Sequence, residues 1–198
     1  MASPYEGKAV AAWARVTRRL VRAHPLQTAE IVDVVLAAWE SIFGFKIGAK
    51  FEIGRDIFPK PQIMGFFLHE LIPLEFTALY PDVWRGEQVG SDKDIVYIPE
   101  DRYSIEVKTS SNPRHIFGNR SYAQGSTKSK KSKSGYYLAV NFEKFSKTNK
   151  KPRILLIRFG WLDSSDWRGQ VAVTGQQASL TKEADSEKLL KIYSVEPK

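Results

Sequence analysis

The stretch Asp94-Ile95-Val96-Tyr97-Ile98-Pro99-Glu100-Asp101-Arg102-Tyr103-Ser104-Ile105-Glu106-Val107-Lys108 decides how this chain is read. Two runs rich in β-branched and aromatic residues, 94–98 and 103–107, flank Pro99-Glu100-Asp101-Arg102, whose composition is that of a turn. A turn centred near residue 100 sets Asp94 opposite Glu106, with Cβ atoms about 5 Å apart on one face of the hairpin. Side chains alternate along a strand, so Lys108 joins that face, while Ile95, Ile105 and Val107 turn to the other face and into a core. Like charges set opposite each other destabilise a hairpin. A cation between Asp94 and Glu106 relieves this. Two carboxylates and the nearby Val107 carbonyl form a hard oxygen donor set of the kind Mg²⁺ takes. In that arrangement Lys108 orients or deprotonates a water and stabilises developing negative charge.

Working outward, the strands continue beyond the hairpin. Residues 135–142 and 153–161 read as two more strands. Residues 126–134 are rich in serine and lysine and read as a surface loop. On the N-terminal side the period changes to that of helices. Ala9, Trp13, Val16 and Leu20 form one apolar face, and Lys8, Arg15, Arg19 and Arg22 a basic one, up to His24-Pro25. The basic face has two readings, solvated surface or phosphate contact. A second helix starts at Thr28 as N-cap, buries Ile31, Val34, Val35, Ala38 and Ile42, and closes at Gly44. Loops and a short strand fill 45–61. A third helix covers 62–71 and extends, bent at Pro73, to about residue 79, with His69, Glu70 and Glu75 as its polar groups. Residues 186–193 read equally as a short helix or an edge strand. The whole is a single domain, with N-terminal helices over 1–44, a core over 62–161 and a C-terminal segment over 162–198.

Composition narrows the function classes. The chain has 198 residues and no cysteine, which excludes disulfides, thiolate metal sites and a cysteine nucleophile. No signal peptide or bilayer-spanning run is evident, and the expected setting is the cytoplasm, with no membrane partner. Residues 109–158 hold twelve lysines and arginines and one acid, Glu143, a balance of +11; the net charge of +8 leaves −3 for the rest. This asymmetry points to one surface built for a polyanion. Arg114, Asn119, Arg120 and Gln124 have the side chains that read base edges or hold phosphates, in a polar stretch that begins Ser110-Ser111-Asn112. His115 lies in the same stretch, as DNA contact or loop histidine. Lys128, Lys130, Lys131 and Lys133 are expected to bind phosphates.

Gly90-Ser91-Asp92-Lys93-Asp94-Ile95-Val96 followed by Ile105-Glu106-Val107-Lys108 resembles the PD-(D/E)XK nucleases, with Lys93 in place of the usual proline and Asp92 as a rival to Asp94. The resemblance covers roughly residues 62–158. It implies an α/β, restriction-endonuclease-like fold with a mixed sheet of four or five strands flanked by helices. It also implies a helix acid at the site, Glu70 first and Glu75 second. The stretch 109–122 is similar to that of the ScaI-like type II restriction endonucleases. That likeness implies Mg²⁺-dependent, sequence-specific cutting of both strands of duplex DNA at a short palindromic site, by a homodimer whose host is protected by a separate cognate methyltransferase. Two other functions fit the same residues: a repair or junction-resolving nuclease of the superfamily, and a non-catalytic DNA-binding module.

Overall fold

A computed structural model describes residues 2–123, 131–172 and 175–196. In chain order the main elements are α1 (Trp13–Arg22), α2 (Thr28–Phe43), β1 (Lys46–Ile47), β2 (Phe51–Glu52), α3 (Pro61–Leu79), β3 (Trp84–Gly86), β4 (Ile95–Tyr97) and β5 (Ile105–Ser110). They continue with β6 (Phe117–Asn119), β7 (Gly135–Phe142), β8 (Ile154–Leu162), β9 (Trp167–Gly169), β10 (Gln177–Leu180), α4 (Lys182–Glu187) and β11 (Leu189–Ser194). The main sheet has six strands in the order β11-β8-β7-β5-β4-β3, two more than the core four anticipated and one more than five. The extra strands lie at its edges. β3 has only three residues, too few to show alternation, and β11 follows directly on the short α4, so the C-terminal segment supplies both a helix and a strand.

The hairpin has the anticipated register. Ile95 pairs with Ile105, and Ile95, Ile105 and Val107 are fully buried. The two strands are shorter at the turn than expected, because Asp101–Tyr103 winds into a 3₁₀ turn. There the Ser104 hydroxyl donates to the Asp101 carboxylate and accepts from the Tyr97 N–H, which closes the connection. β5 then runs parallel to β7, from Ile105 beside Tyr136 to Ser110 beside Asn141. Every residue of β7 is buried. A strand covered on both faces reads as a continuous apolar run, as Tyr136-Tyr137-Leu138-Ala139-Val140 does.

The helices pack on this sheet. α2 buries the five residues anticipated and also Trp39, whose indole donates to the Pro152 carbonyl. Its cap is one residue earlier than expected: the Gln27 N–H bonds the Glu30 carboxylate, and Thr28 already has helical geometry. Instead of one short strand, β1 and β2 form a small hairpin of their own. α3 is one continuous helix through Pro73, so the chain does not break there. It lies tight against β5. A Cβ on Gly65 would come within 2.7 Å of the Thr109 hydroxyl, closer than real Cβ atoms approach, so this helix can reach the strand only because residue 65 is glycine. One turn further along α3, His69 stands beside Asp94, the residue before β4.

Candidate active site

Glu106 is 3% exposed, although it projects from the face that carries charge. Its burial is compensated by cations. Lys108 Nζ donates to Glu106 Oε1 at 2.7 Å, and the Tyr122 hydroxyl donates to the same oxygen. Lys131 Nζ lies 3.1 Å and Lys93 Nζ 3.8 Å from Oε2. Oε2 is nevertheless buried without an aligned hydrogen bond among the described residues. Burial alone would raise the Glu106 pKa; Lys108, Lys93 and Lys131 together outweigh it and hold the carboxyl at about 2. Glu106 is therefore ionised at any working pH.

Asp94 shows the same division of its oxygens. Oδ2 accepts the Val107 N–H at 2.7 Å, which fixes the carboxylate against β5. Oδ1 takes Lys131 Nζ at 2.9 Å. One ammonium thus bridges Asp94 Oδ1 and Glu106 Oε2. The two acids share a single point of positive charge, as the hairpin geometry requires, and the Val107 carbonyl, 3.1 Å from Lys108 Nζ, lies on the same strand. These hard oxygen donors, with the unaligned Glu106 Oε2 among them, fit a divalent cation in the place of that ammonium.

Asp92 does not compete for this role. Its Oδ2 accepts Arg85 Nη1 at 2.7 Å and the N–H groups of Gln88 and Val89, so it closes the turn before β4. Glu70 is exposed and, with His69, Glu87 and Asp94, lines a cleft of about 580 Å³. Glu75 lines neither this cleft nor the adjoining one. The adjoining cleft, about 740 Å³, is lined by Gln62, Phe66, Ser110, Ser111, Asn112 and Gln177 among others, and His69 lines both.

Three groups at the centre were given no role by the sequence reading. Lys93, 7% exposed, stacks over the Tyr137 ring and donates to the Ser132 carbonyl; burial first, and neighbouring ammonium groups next, lower its pKa to about 8 against the pull of Glu106. A lysine in a polar stretch carries no sequence signal of burial. His69 places Nδ1 3.8 Å from Asp94 Oδ2, and burial keeps its pKa below the ordinary value. Its one signal is its place beside Glu70. Tyr122 lies within the polar stretch but carries no charge to mark it. Lys131, anticipated as a phosphate binder, instead contacts Asp94, Glu106 and Glu87.

The polar stretch is built rather than loose. The Asn112 side chain accepts the N–H groups of Arg114 and His115, and Arg114 and His115 are exposed. The buried Asn141 amide donates to the carbonyls of Asn112 and His115, and the buried Arg158 guanidinium donates to that of Arg114. Asn119 pairs with Gln177 across β6 and β10. Arg120 Nη1 holds the Gly175 carbonyl at 3.0 Å, and Lys133 donates to the Ser121 carbonyl. Gln124, Lys128 and Lys130 lie outside the described residues.

A mixed sheet with two carboxylates and a lysine gathered on one hairpin, beside an exposed polar stretch, defines a nuclease of the restriction-endonuclease type. The comparisons with known proteins narrow the class. The family described as ScaI restriction endonuclease matches residues 3–193. Type II restriction enzyme ScaI of Streptomyces caespitosus is 50% identical over 194 residues, covering 97% of this chain and 85% of that relative. No solved structure matches. The chain belongs to the ScaI restriction endonuclease family and is a sequence-specific, type II restriction nuclease. Membership implies DNA as substrate and a divalent metal as cofactor. No helix among the described residues is long and apolar enough to cross a membrane.

Proposed function

We propose that the chain hydrolyses both strands of duplex DNA at a short palindromic site, with Asp94, Glu106 and Lys108 as the catalytic centre and Mg²⁺ as the cofactor. The observation that carries this reading is the convergence of Asp94 Oδ1 and Glu106 Oε2 on one cation, with Lys108 bonded to Glu106. Asp94, Glu106 and the Val107 carbonyl would hold the metal, which when bound lowers the pKa of water and offsets the charge of the phosphate. Lys108 Nζ holds the attacking water beside the scissile phosphate and stabilises the negative charge that develops there. Glu70, which lines the same cleft as Asp94, supplies a further carboxylate. The products carry 5′-phosphate and 3′-hydroxyl ends.

Ser110, Ser111, Asn112, Arg114, His115, Asn119 and Arg120 supply base and phosphate contacts, and Gln124, Lys128, Lys130 and Lys133 further ones. A two-fold homodimer sets one centre on each strand, which makes the site palindromic. A separate methyltransferase protects the host, and the enzyme works in the cytoplasm.

The test begins with digestion of a plasmid of known sequence in Mg²⁺ and sequencing of the ends. Glu106→Ala, Lys108→Ala and Asp94→Asn are then compared on the site found. Each abolishes cutting and keeps sequence-specific binding in Ca²⁺, whereas Asp92→Asn still cuts. Full cutting in EDTA, or loss of binding equal to loss of cutting, refutes the assignment.

A further inference from the structure

A carboxylate offers two oxygens, and a site that needs only one of them must dispose of the other. In Glu106 the division is visible. Oε1 receives two donors, Lys108 Nζ at 2.7 Å and the Tyr122 hydroxyl, whereas Oε2 has no aligned hydrogen bond among the described residues and faces the cation position beside Asp94 Oδ1. Lys108 reaches Oε1 on a long stem with several torsions. Tyr122 is more constrained: its ring turns on two torsions and is fixed on three sides. It packs on the buried Trp167 with ring centroids 5.0 Å apart, and Lys108 Nζ lies 4.8 Å from its own centroid. Gly118 forms the third wall, where a Cβ would meet the tyrosine Cγ at 3.0 Å and Cδ2 at 3.1 Å. The ring therefore fits in its slot because residue 118 has no side chain.

We propose that Tyr122 is a positioning residue that holds Glu106 Oε1 and so turns Oε2 towards the metal, linking the DNA-contacting stretch to the catalytic carboxylate. The link is short. Tyr122 lies in the turn Arg120–Ala123, which follows Asn119, and this turn is tied to the residue before β10 by the Arg120 N–H donating to the Gln176 carbonyl at 2.8 Å. A shift of that turn on engaging DNA moves the hydroxyl that sets the Glu106 rotamer. This rests on the reading of Asp94 and Glu106 as metal ligands.

The variant Tyr122→Phe keeps the ring, its packing and its contact with Lys108, and removes only the hydroxyl. Bound Mn²⁺ is titrated by electron paramagnetic resonance without DNA, and kcat, KM and metal-free duplex affinity are measured beside it. Groups that hold a metal ligand typically govern affinity or rate by about 10–100-fold. Tyr122→Phe accordingly weakens Mn²⁺ binding and lowers kcat by roughly tenfold or more, with duplex affinity that of the wild type and a melting temperature lowered only by the loss of one hydrogen bond to a carboxylate. Gly118→Ala, which crowds the ring and leaves the hydroxyl in place, also weakens Mn²⁺ binding and lowers kcat, with a lower melting temperature because the new Cβ presses on Tyr122 and on the buried Trp167. Unchanged Mn²⁺ affinity and kcat in Tyr122→Phe overturn the proposal, as does a loss of duplex affinity that matches the loss of turnover. Glu106→Ala is the reference: if it binds Mn²⁺ like the wild type, the metal-site reading itself fails, whatever Tyr122 does.

Discussion

Lowering the pH from 7 to 4.5 removes a calculable part of this protein's stability through one side chain, His24. The ring is buried among Trp84, Tyr103, Tyr136 and Phe159. Its Nδ1 accepts the Leu26 N–H at 3.2 Å and its Nε2 bonds the Tyr103 carbonyl at 3.0 Å, so the neutral tautomer with a proton on Nε2 is satisfied at both nitrogens. A second proton would be forced onto Nδ1, against the Leu26 N–H. Burial lowers the pKa from 6.5 to about 4, more than the bond to the Tyr103 carbonyl restores. The unfolded chain thus takes up a proton near pH 6.5 that the folded chain refuses until about pH 4. Stability is full above 6.5 and falls as the pH drops through that window. At about 1.4 kcal/mol per pH unit the whole loss is on the order of 3 kcal/mol. His69, whose pKa burial also lowers, adds a loss of the same sign, whereas the stability that the depressed Glu106 carboxyl supplies is lost only as the pH falls below its ordinary value, near 4.5. Urea unfolding at a series of pH values between 7 and 4.5 measures the slope. His24→Gln does not titrate and should have lower stability at pH 7 but a flatter slope. An unchanged slope in His24→Gln refutes the argument. The effect reaches the active site, because His24 holds the carbonyl of Tyr103, two residues before β5 begins.

Three further outcomes follow from the interactions described. Lys131→Ala leaves Asp94 and Glu106 facing each other, so the variant should lose roughly 2 kcal/mol in EDTA, the scale of a charge-assisted hydrogen bond, and regain it in Ca²⁺; a melting temperature no more cation-dependent than that of the wild type counts against this. Asn141→Ala strands the carbonyls of Asn112 and His115, costs about 2 kcal/mol in urea unfolding, and should raise cutting at near-cognate sites relative to the cognate one; equal loss at both would reduce Asn141 to a purely structural role. Replacing Lys128 and Lys130 by alanine should lower the slope of log K against log salt by up to about 0.9 for each phosphate that is no longer neutralised, and an unchanged slope in a binding titration would show that neither reaches DNA.

What could be read from the sequence is what alternation and local spacing encode. The pairing of Ile95 with Ile105, the placing of Glu106 and Lys108 on one side and the buried run of β7 all follow from a period of two and a turn of known length. The strands β3, β6, β9 and β10 have three or four residues each and show no period at all. α4 is too short for a helical one. The same limit applies to the site. Asp94, Glu106 and Lys108 announce themselves because they interrupt apolar strands, whereas Lys93, Lys131 and Tyr122 sit in polar sequence where nothing separates a buried group from a solvated one. Lys93 is the sharpest case, since its neighbour Asp92 is the residue with a motif-like look and yet is occupied by Arg85.

The arrangement of these hidden groups has a topological cause. β5 and β7 are parallel neighbours, with Ile105 beside Tyr136 and Ser110 beside Asn141. The chain leaves β5 at Ser110 and must return along its whole length to start β7 at Gly135, because parallel strands cannot be joined by a tight turn. That return carries Asn112 to His115 near one end of β5 and Lys131 to the other, with Tyr122 between them in sequence and bonded to Glu106. Residues proposed to contact DNA and residues that touch the two carboxylates therefore belong to one excursion of the chain. On the function proposed above, an enzyme that endangers its host by cutting at the wrong sequence gains from this, since a movement at Arg120 reaches Tyr122, two residues on, and through its hydroxyl Glu106. Separate recognition and cleavage modules would need an interface to do the same.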